Sequence, residues 1–268
     1  MKAMVLAAGL GTRLRPLTDD RPKALVTVGG RTLLEIALRR LQTVGVREVI
    51  VNTHHYADMI AEYLESHDNF GMRIEISPEE ILLDTGGGLK KTAPFFLEKG
   101  ASSEPFLVHN VDVLSTIPLD RMVRLQKEQR ALVTLAVQDR LTSRYLLFDQ
   151  HNQLCGRRAG RGVGAVASDN SPAIPGPPQF EHETGKQTGQ PDPVQPLAFC
   201  GIHVISPDLF SLMEQEGAFS IIDVYVRLAA QGKRILAFRA DEFYWRDLGR
   251  PESIAEAAQD IGRGLYPS

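Results

Sequence analysis

Apolar and polar residues alternate along the first part of the chain in blocks of two kinds. Ala3–Leu6, Glu48–Asn52 and Arg73–Ser77 are short runs with strand character, and Leu33–Leu41 and Ala57–Leu64 are amphipathic at helical spacing. This order predicts an α/β fold in which strands lie side by side in a mixed, mostly parallel sheet with helices on both faces. The pattern continues through a strand at Phe106–His109, a helix at Leu119–Gln129 and a strand at Leu132–Val137. It then changes. Tyr145–Phe148 and Gln153–Cys155 read as short antiparallel strands, and Leu197–Ile205 as a strand that ends in Ser206-Pro207. A helix around Ile221–Ala230, a strand at Ile235–Phe238 and a helix from about Pro251 to Ile261 complete the series, with Pro251 suited to a first helical turn.

Between Ser168 and Pro196 lie seven of the sixteen prolines and one aromatic residue, Phe180. Such a segment buries too little apolar area to offset its ordering entropy, so an exposed insertion is expected at about 168–196 within a single domain spanning 1–268. No internal repeat interrupts the series. A hydrophobic share of 43% and a charged share of 24% place the chain among ordinary globular proteins. Thirty basic residues against thirty-three acidic ones offer no overall positive field, which argues against nucleic acid as a partner. Cys155 and Cys200 have neither metal-ligand spacing nor the number needed for a disulfide framework, and point to a reducing compartment. The first apolar run, about six residues long, reads as a buried strand rather than a signal peptide. No run approaches the roughly 18 apolar residues that span a bilayer, so the expectation is a cytoplasmic protein with no membrane partner.

Ala7-Ala8-Gly9-Leu10-Gly11-Thr12-Arg13 follows the first strand directly, at the carboxyl edge where open α/β sheets bind ligands. Gly9 and Gly11 let the backbone turn tightly and bring N–H groups against phosphate oxygens. Three phosphate-binding schemes compete. A dinucleotide fingerprint needs a third glycine where Leu14 stands, and a P-loop needs Gly-Lys-Ser/Thr after four intervening residues; both fail. What remains is a loop with its own cations, Arg13 and Arg15, followed by Lys23 after Arg21-Pro22, a combination suited to a free nucleotide's polyphosphate. On spacing alone, a strand-to-helix turn with solvated arginines stays open.

The full string GLGTRLRPLTDDRPKAL resembles the signature of the sugar-1-phosphate nucleotidyltransferases, approximately G-x-G-T-R-L-x-P-L-T followed by P-K, with Ala24 where many members have a second proline. The resemblance implies the Rossmann-like nucleotide-diphospho-sugar transferase fold, with Gly9, Gly11, Thr12 and Arg13 on the triphosphate and Lys23 on the reacting phosphates. Such chemistry usually employs Mg²⁺ held by one or two carboxylates. Asp112 in FLVHNVDVL and Asp247 in FYWRDLGRPES both lie near element ends, where either serves equally as a cap or turn residue. FLVHNVDV resembles the family's strand ending N-G-D, with Val111 in the glycine's place, and WRDLGRPE resembles W-x-D-x-G-x-P-E. The resemblance therefore makes Asp112 and Asp247 the metal ligands and Arg13 and Lys23 the catalytic cations. His109 receives no role.

Leu83-Asp84-Thr85-Gly86-Gly87-Gly88 precedes a helix expected to open at Leu89, and three glycines at a helix start bring bare N–H groups to a ligand or form a flexible loop. The resemblance favours nucleobase contacts at Thr85, Gly86 and Gly87, with Ala7, Ala8 and Gly9 as the other wall. The triple glycine is most similar to the subgroup of N-acetylmuramate-1-phosphate uridylyltransferases and mannose-1-phosphate guanylyltransferase-like proteins. Phe199-Cys200-Gly201-Ile202 resembles the family's F-x-G-I strand, which puts Gly201 beside the sugar together with Asn110. The Glu-Lys-Pro motif of many relatives is absent, and the Pro-rich insertion takes its place. Ile221-Ile222-Asp223 resembles an I-x-D helix start near the sugar, with Asp223 read as a cap. Gly156–Arg161 reads as a solvated hairpin.

The implied reaction is in-line attack by a sugar 1-phosphate on the α-phosphorus of a nucleoside triphosphate, giving an NDP-sugar and pyrophosphate. It requires no general base, because a phosphate monoester is already largely dianionic at pH 7. Two other classes compete. A nonenzymatic regulator that binds a sugar nucleotide is disfavoured by the joint presence of Arg13, Lys23, Asp112 and Asp247, and a nicotinamide-dependent reductase by Leu14. The base, the sugar and the oligomeric state stay open; the chain lacks the C-terminal β-helix extension of some relatives, so any assembly is expected to use the core domain.

Overall fold

Ala3 and Val5 belong to one hydrophobic cluster and Met4, between them, to another, so the first strand is buried on both sides as its unbroken apolar run requires. The computed structural model describes residues 1–98, 104–160 and 193–266. In chain order its elements are β1 (Lys2–Leu6), β2 (Thr27–Val28), β3 (Arg31–Thr32), α1 (Leu33–Gln42), β4 (Glu48–Thr53), α2 (Ala57–Ser66), β5 (Arg73–Pro78), α3 (Asp84–Lys91), α4 (Ala93–Phe96), β6 (Phe106–Asn110) and β7 (Val113–Ser115). They continue with α5 (Leu119–Gln129), β8 (Val133–Gln138), β9 (Arg144–Phe148), β10 (Leu154–Ala159), β11 (Gln195–Ile205), α6 (Ile221–Ala230), β12 (Ile235–Arg239), β13 (Trp245–Asp247) and α7 (Pro251–Gly262).

Strands β5, β4, β1 and β6 run parallel in that spatial order, and β11 closes antiparallel on β6. The 11-residue β11 also pairs antiparallel with β8 and with β9, and β12 adds to β8 in parallel. Nine strands thus form one mixed sheet with a parallel centre. Leu34, Ile60, Met122 and Ala257 bring α1, α2, α5 and α7 onto one face; Leu89, Phe95 and Val224 bring α3, α4 and α6 onto the other. Thr32 caps α1, its hydroxyl accepting from Glu35 N–H at 3.0 Å. Among the described residues no helix is long and apolar enough to cross a membrane.

Two expectations require correction. Of the insertion expected at 168–196, residues 168–192 lie outside the described residues, and its far boundary falls too late. Gln195 and Pro196 already pair with Phe148 and Leu147 as the start of β11. The sequence reading also misses β7 and β13, three residues each, which pair with one another apart from the main sheet.

Candidate functional site

The carboxyl ends of β1, β4 and β6 lie side by side, and the loops that leave them supply the first groups. After β1, Ala7 and Ala8 are buried while Gly9 and Leu10 emerge. A Cβ at Gly9 meets no protein atom within 4 Å, so packing within the described residues does not require glycine there. Gly11 is required by the fold itself. Its φ is 67°, and a Cβ there lies 3.0 Å from Thr18 Cγ2 and 3.2 Å from Lys23 Cβ. Leu14 N–H and the Thr18 hydroxyl both donate to Gly11 O, at 2.8 and 2.9 Å. Leu14 is fully buried and anchors the turn, leaving Thr12 and Arg13 exposed. Lys23 is only 8% exposed, and its ammonium is paired with the Asp112 carboxylate.

The β7–β13 ladder brings the two acids together. Val113 pairs with Asp247, and one residue further Leu248 N–H donates to Asp112 O at 2.8 Å. Asp247 Oδ1 accepts from Gly249 N–H at 2.8 Å. A Cβ on Gly249 falls 2.5 Å from Asp247 Oδ1 and 3.1 Å from Arg13 Nη2, so the Arg13 guanidinium lies over Gly249 beside the same carboxylate. Arg13 and Lys23 from the segment after β1, Asp112 from the β6–β7 turn and Asp247 from the end of β13 therefore converge. No group of three or more histidine, cysteine or acidic side chains is assembled for a metal among the described residues. Two carboxylates suit a hard cation that completes its octahedron with phosphate oxygens and water, and the Lys23 ammonium on Asp112 marks a place where positive charge is accepted.

The glycines of α3 have a different reason from the expected one. The helix opens at Asp84 rather than Leu89, so the glycines sit inside it. Gly86 N–H donates to Phe219 O at 2.8 Å and Gly87 N–H to the same carbonyl at 3.4 Å, so neither is bare. A Cβ at Gly86 runs into the Phe219 ring, one at Gly87 into Gly217 O, and one at Gly88 lies 2.7 Å from Glu79 Oε1. Thr85 Oγ1 accepts from Ile221 N–H at 3.1 Å. The triple glycine thus lets α3 dock against the 217–221 segment and against a buried polar pair beneath it. Sequence reasoning missed that pair. Ala7 N–H donates to Asn52 Oδ1 (2.7 Å), Asn52 Nδ2 to Glu79 Oε1 (2.7 Å), and Leu83 N–H to Glu79 Oε2 (2.9 Å). Asn52 and Glu79 are 3% and 4% exposed, and they tie the loop after β1 to the entry of α3.

The family described as nucleotidyl transferase matches residues 2–151, which hold the Gly-rich loop, Lys23, α3 and Asp112. The chain belongs to this family. It is 33% identical over 258 residues to the N-acetylmuramate alpha-1-phosphate uridylyltransferase of Caulobacter vibrioides, covering 94% of this chain and 93% of that protein. It is 29% identical over 267 residues to the mannose-1-phosphate guanylyltransferase of Mycobacterium tuberculosis, covering 99% of this chain and 66% of that longer protein. The solved structure of UDP-glucose pyrophosphorylase from Acinetobacter baumanii has the same fold, with a TM-score of 0.73 at 19% identity over 98% of this chain and 93% of that one.

On the other flank of this nucleotidyl transferase, β11 carries an irregularity between Phe199 and His203, and Gly201 within it has φ 74°. A Cβ at Gly201 lies 2.9 Å from Asn110 Nδ2 and 2.8 Å from Val113 Cγ2, so the two candidate sugar residues are in contact range of each other. Asn110 Oδ1 is buried without a hydrogen-bond partner. Val111 takes the glycine's place without strain: its N–H donates to Leu6 O at 3.1 Å, and its side chain joins the core. Asp223 is not the cap of α6. Ser220 fills that place, accepting from Ile222 N–H at 3.3 Å, and Asp223 pairs with Arg157. Gly156–Ala159 belong to β10, which forms an antiparallel hairpin with β9 and leaves Arg157 and Arg158 exposed, as a solvated hairpin would; Arg161 lies outside the described residues. Burial lowers the His109 pKa to about 4, which leaves its ring neutral at pH 7.

A cleft of about 480 Å³ lies at the amino ends of β6, β8 and β12, lined by Lys127, Arg130, Lys233 and Arg234. It contains none of the four converging groups.

Proposed function

We propose that the chain transfers a nucleotidyl group from a nucleoside triphosphate to a sugar 1-phosphate in the cytoplasm, by in-line attack on the α-phosphorus with loss of pyrophosphate. The observation that carries this reading is the convergence of two carboxylates, Asp112 and Asp247, with two cations, Arg13 and Lys23, at the carboxyl edge of the sheet. Asp112 and Asp247 would hold Mg²⁺, which supplies Lewis-acid polarisation and charge neutralisation at the phosphates. Gly9, Gly11 and Thr12 turn the main chain around the triphosphate. Arg13 neutralises it, and Lys23 leaves Asp112 for the reacting phosphates when substrate arrives. The base lies between Ala7, Ala8 and Gly9 on one side and Thr85, Gly86 and Gly87 on the other. Gly86 and Gly87 are buried against the 217–221 segment with their N–H groups engaged, so their part is to hold α3 close at that wall. Asn110 and Gly201 border the sugar, with the unpartnered Asn110 Oδ1 accepting from a hydroxyl.

The relative matched over nearly its whole length leads us to assign UTP and N-acetylmuramate 1-phosphate as the first pair to test. Pyrophosphate release is measured with Mg²⁺ across UTP, GTP, CTP and dTTP, each with the 1-phosphates of N-acetylmuramate, mannose, glucose and N-acetylglucosamine. One pair well above the rest is expected, and near-background rates across the grid would overturn the reading.

A further inference from the structure

Arg140 is a half-buried cation with no acid of its own. Two residues past the end of β8, its Nη2 donates to Phe199 O at 2.8 Å, and its guanidinium carbon lies 3.7 Å from the centroid of the Trp245 ring. Trp245 Nε1 in turn donates to Cys200 O at 2.8 Å. The two side chains thus hold successive carbonyls of the β11 irregularity, immediately before Gly201. Arg140 forms no ion pair with any described residue, and its Nε is buried without a partner. Burial pulls the guanidinium below its ordinary pKa, and the neighbouring Cys200 thiol, pushed up to about 12 by burial, is neutral and offers no counter-charge. Among its neighbours the carboxylate that attracts it is Asp247, already assigned to the metal.

Its place on the site follows from β13. Trp245 and Asp247 are two residues apart on one strand and project from the same face, about 7 Å apart. The guanidinium stacked on Trp245 therefore stands on the Asp247 side of the ribbon. A sugar 1-phosphate brings a second dianion to a site that already holds a triphosphate, and Arg13 and Lys23 are committed to the first. The second anion needs its own cation, and a planar guanidinium offers paired donors to a phosphate. A clip for Phe199 would need only one of the five N–H donors that arginine carries.

Resting on the proposed transferase reading, we propose that Arg140 receives the phosphate of the sugar 1-phosphate, with Trp245 as the plate that fixes the guanidinium's orientation. Arg140→Met, Arg140→Lys and the parent protein are compared with UTP and N-acetylmuramate 1-phosphate, or the best pair of the substrate grid, each varied separately. The methionine variant is expected to raise the KM for the sugar 1-phosphate by about 30-fold or more and leave that for the triphosphate within about twofold. The lysine variant, keeping a point charge without the fork, falls between. Equal rises in both KM values with a lowered Tm would make Arg140 a structural clip, and an unchanged sugar 1-phosphate KM would equally overturn the inference. Calorimetric binding of N-acetylmuramate 1-phosphate and of glucose 1-phosphate separates the two claims. Binding to the parent that is lost in Arg140→Met, without turnover, sustains the Arg140 assignment while overturning the transfer reaction; no binding to the parent overturns both.

Discussion

The ammonium of Lys23 rests on the carboxylate of Asp112, although 89 positions separate them in the chain. Both side chains are largely withdrawn from solvent, 10% and 19% exposed, so each satisfies a charge the other leaves partly desolvated. Removing the acid alone leaves a largely buried cation without a partner. Asp112→Asn is expected to destabilise the metal-free protein by about 1–3 kcal/mol, and Lys23→Met added to it to recover part of that loss. Urea unfolding in the presence of a chelator measures both.

The same substitution removes half of the carboxylate pair. Asp112→Asn and Asp247→Asn are each expected to lower kcat by about 100-fold or more and to raise the Mg²⁺ concentration for half-maximal rate. Magnesium titrations of pyrophosphate release test this, and an unchanged midpoint in either variant would remove that residue from the metal site.

Asn52 and Glu79 can exchange chemistry without loss of any bond. Glu79→Gln alone turns an amide towards the Asn52 amide and disrupts the chain of donors that ends at Ala7 N–H. Asn52→Asp with Glu79→Gln keeps all three hydrogen bonds: the one between the two side chains reverses, while Ala7 N–H and Leu83 N–H still donate. The single variant is expected to raise the KM for the triphosphate about tenfold and the double variant to return it close to the parent value. Failure of the double variant to recover, with a normal Tm, would show that Glu79 acts on the ligand directly.

Gly201 is the glycine of β11 that packing forbids changing. Alanine there faces a positive φ and the Asn110 amide 2.9 Å away, so Gly201→Ala is expected to cost about 1–3 kcal/mol and to weaken sugar 1-phosphate binding more than triphosphate binding. Denaturant unfolding and separate KM measurements give the two parts.

Two buried histidines set the acid response. Burial depresses His109 to about 4 and His203 to about 3, the latter on adjacent β11 with its Nδ1 2.9 Å from the Tyr225 hydroxyl. The unfolded chain binds these protons first, so their contribution to stability is intact above about pH 6.5 and is lost as pH falls through the window down to each folded value. The slope is about 1.4 kcal/mol per pH unit for each histidine. Unfolding free energies between pH 7 and 4.5 are expected to fall accordingly, and His109→Gln to flatten the curve by one proton.

Local periodicity explains why the main elements are legible in the chain. Met4, Ile50 and Val108 fill the centres of strands that read as apolar runs, and Leu34, Leu38 and Leu41 repeat at helical spacing. The Gly-rich turn is legible too, because Gly11 and buried Leu14 act within three residues of each other. Features made by long-range pairing are not. The three-residue strands holding Val113 and Asp247 have no pattern of their own, and the reason for Gly88 lies in Glu79 and Asn52 on other elements. Arg140 carries a charge like any surface arginine until Trp245 and Phe199 are placed against it. Asn52, a polar residue closing the apolar run of β4, is the one local signal by which the missed network could have been found.

Because Asp247 is held to Asp112 through Leu248 N–H and the Val113 pairing, the spacing of the two acids is written in main-chain atoms. Behind them Arg246 reaches Asp260 on α7 at 2.6 and 3.0 Å, locking the ribbon from the side away from the reaction. Neither restraint depends on residues of β9 or β10. Substitution on β9 or β10 therefore leaves the spacing of the acids untouched, because no side chain there takes part in setting it.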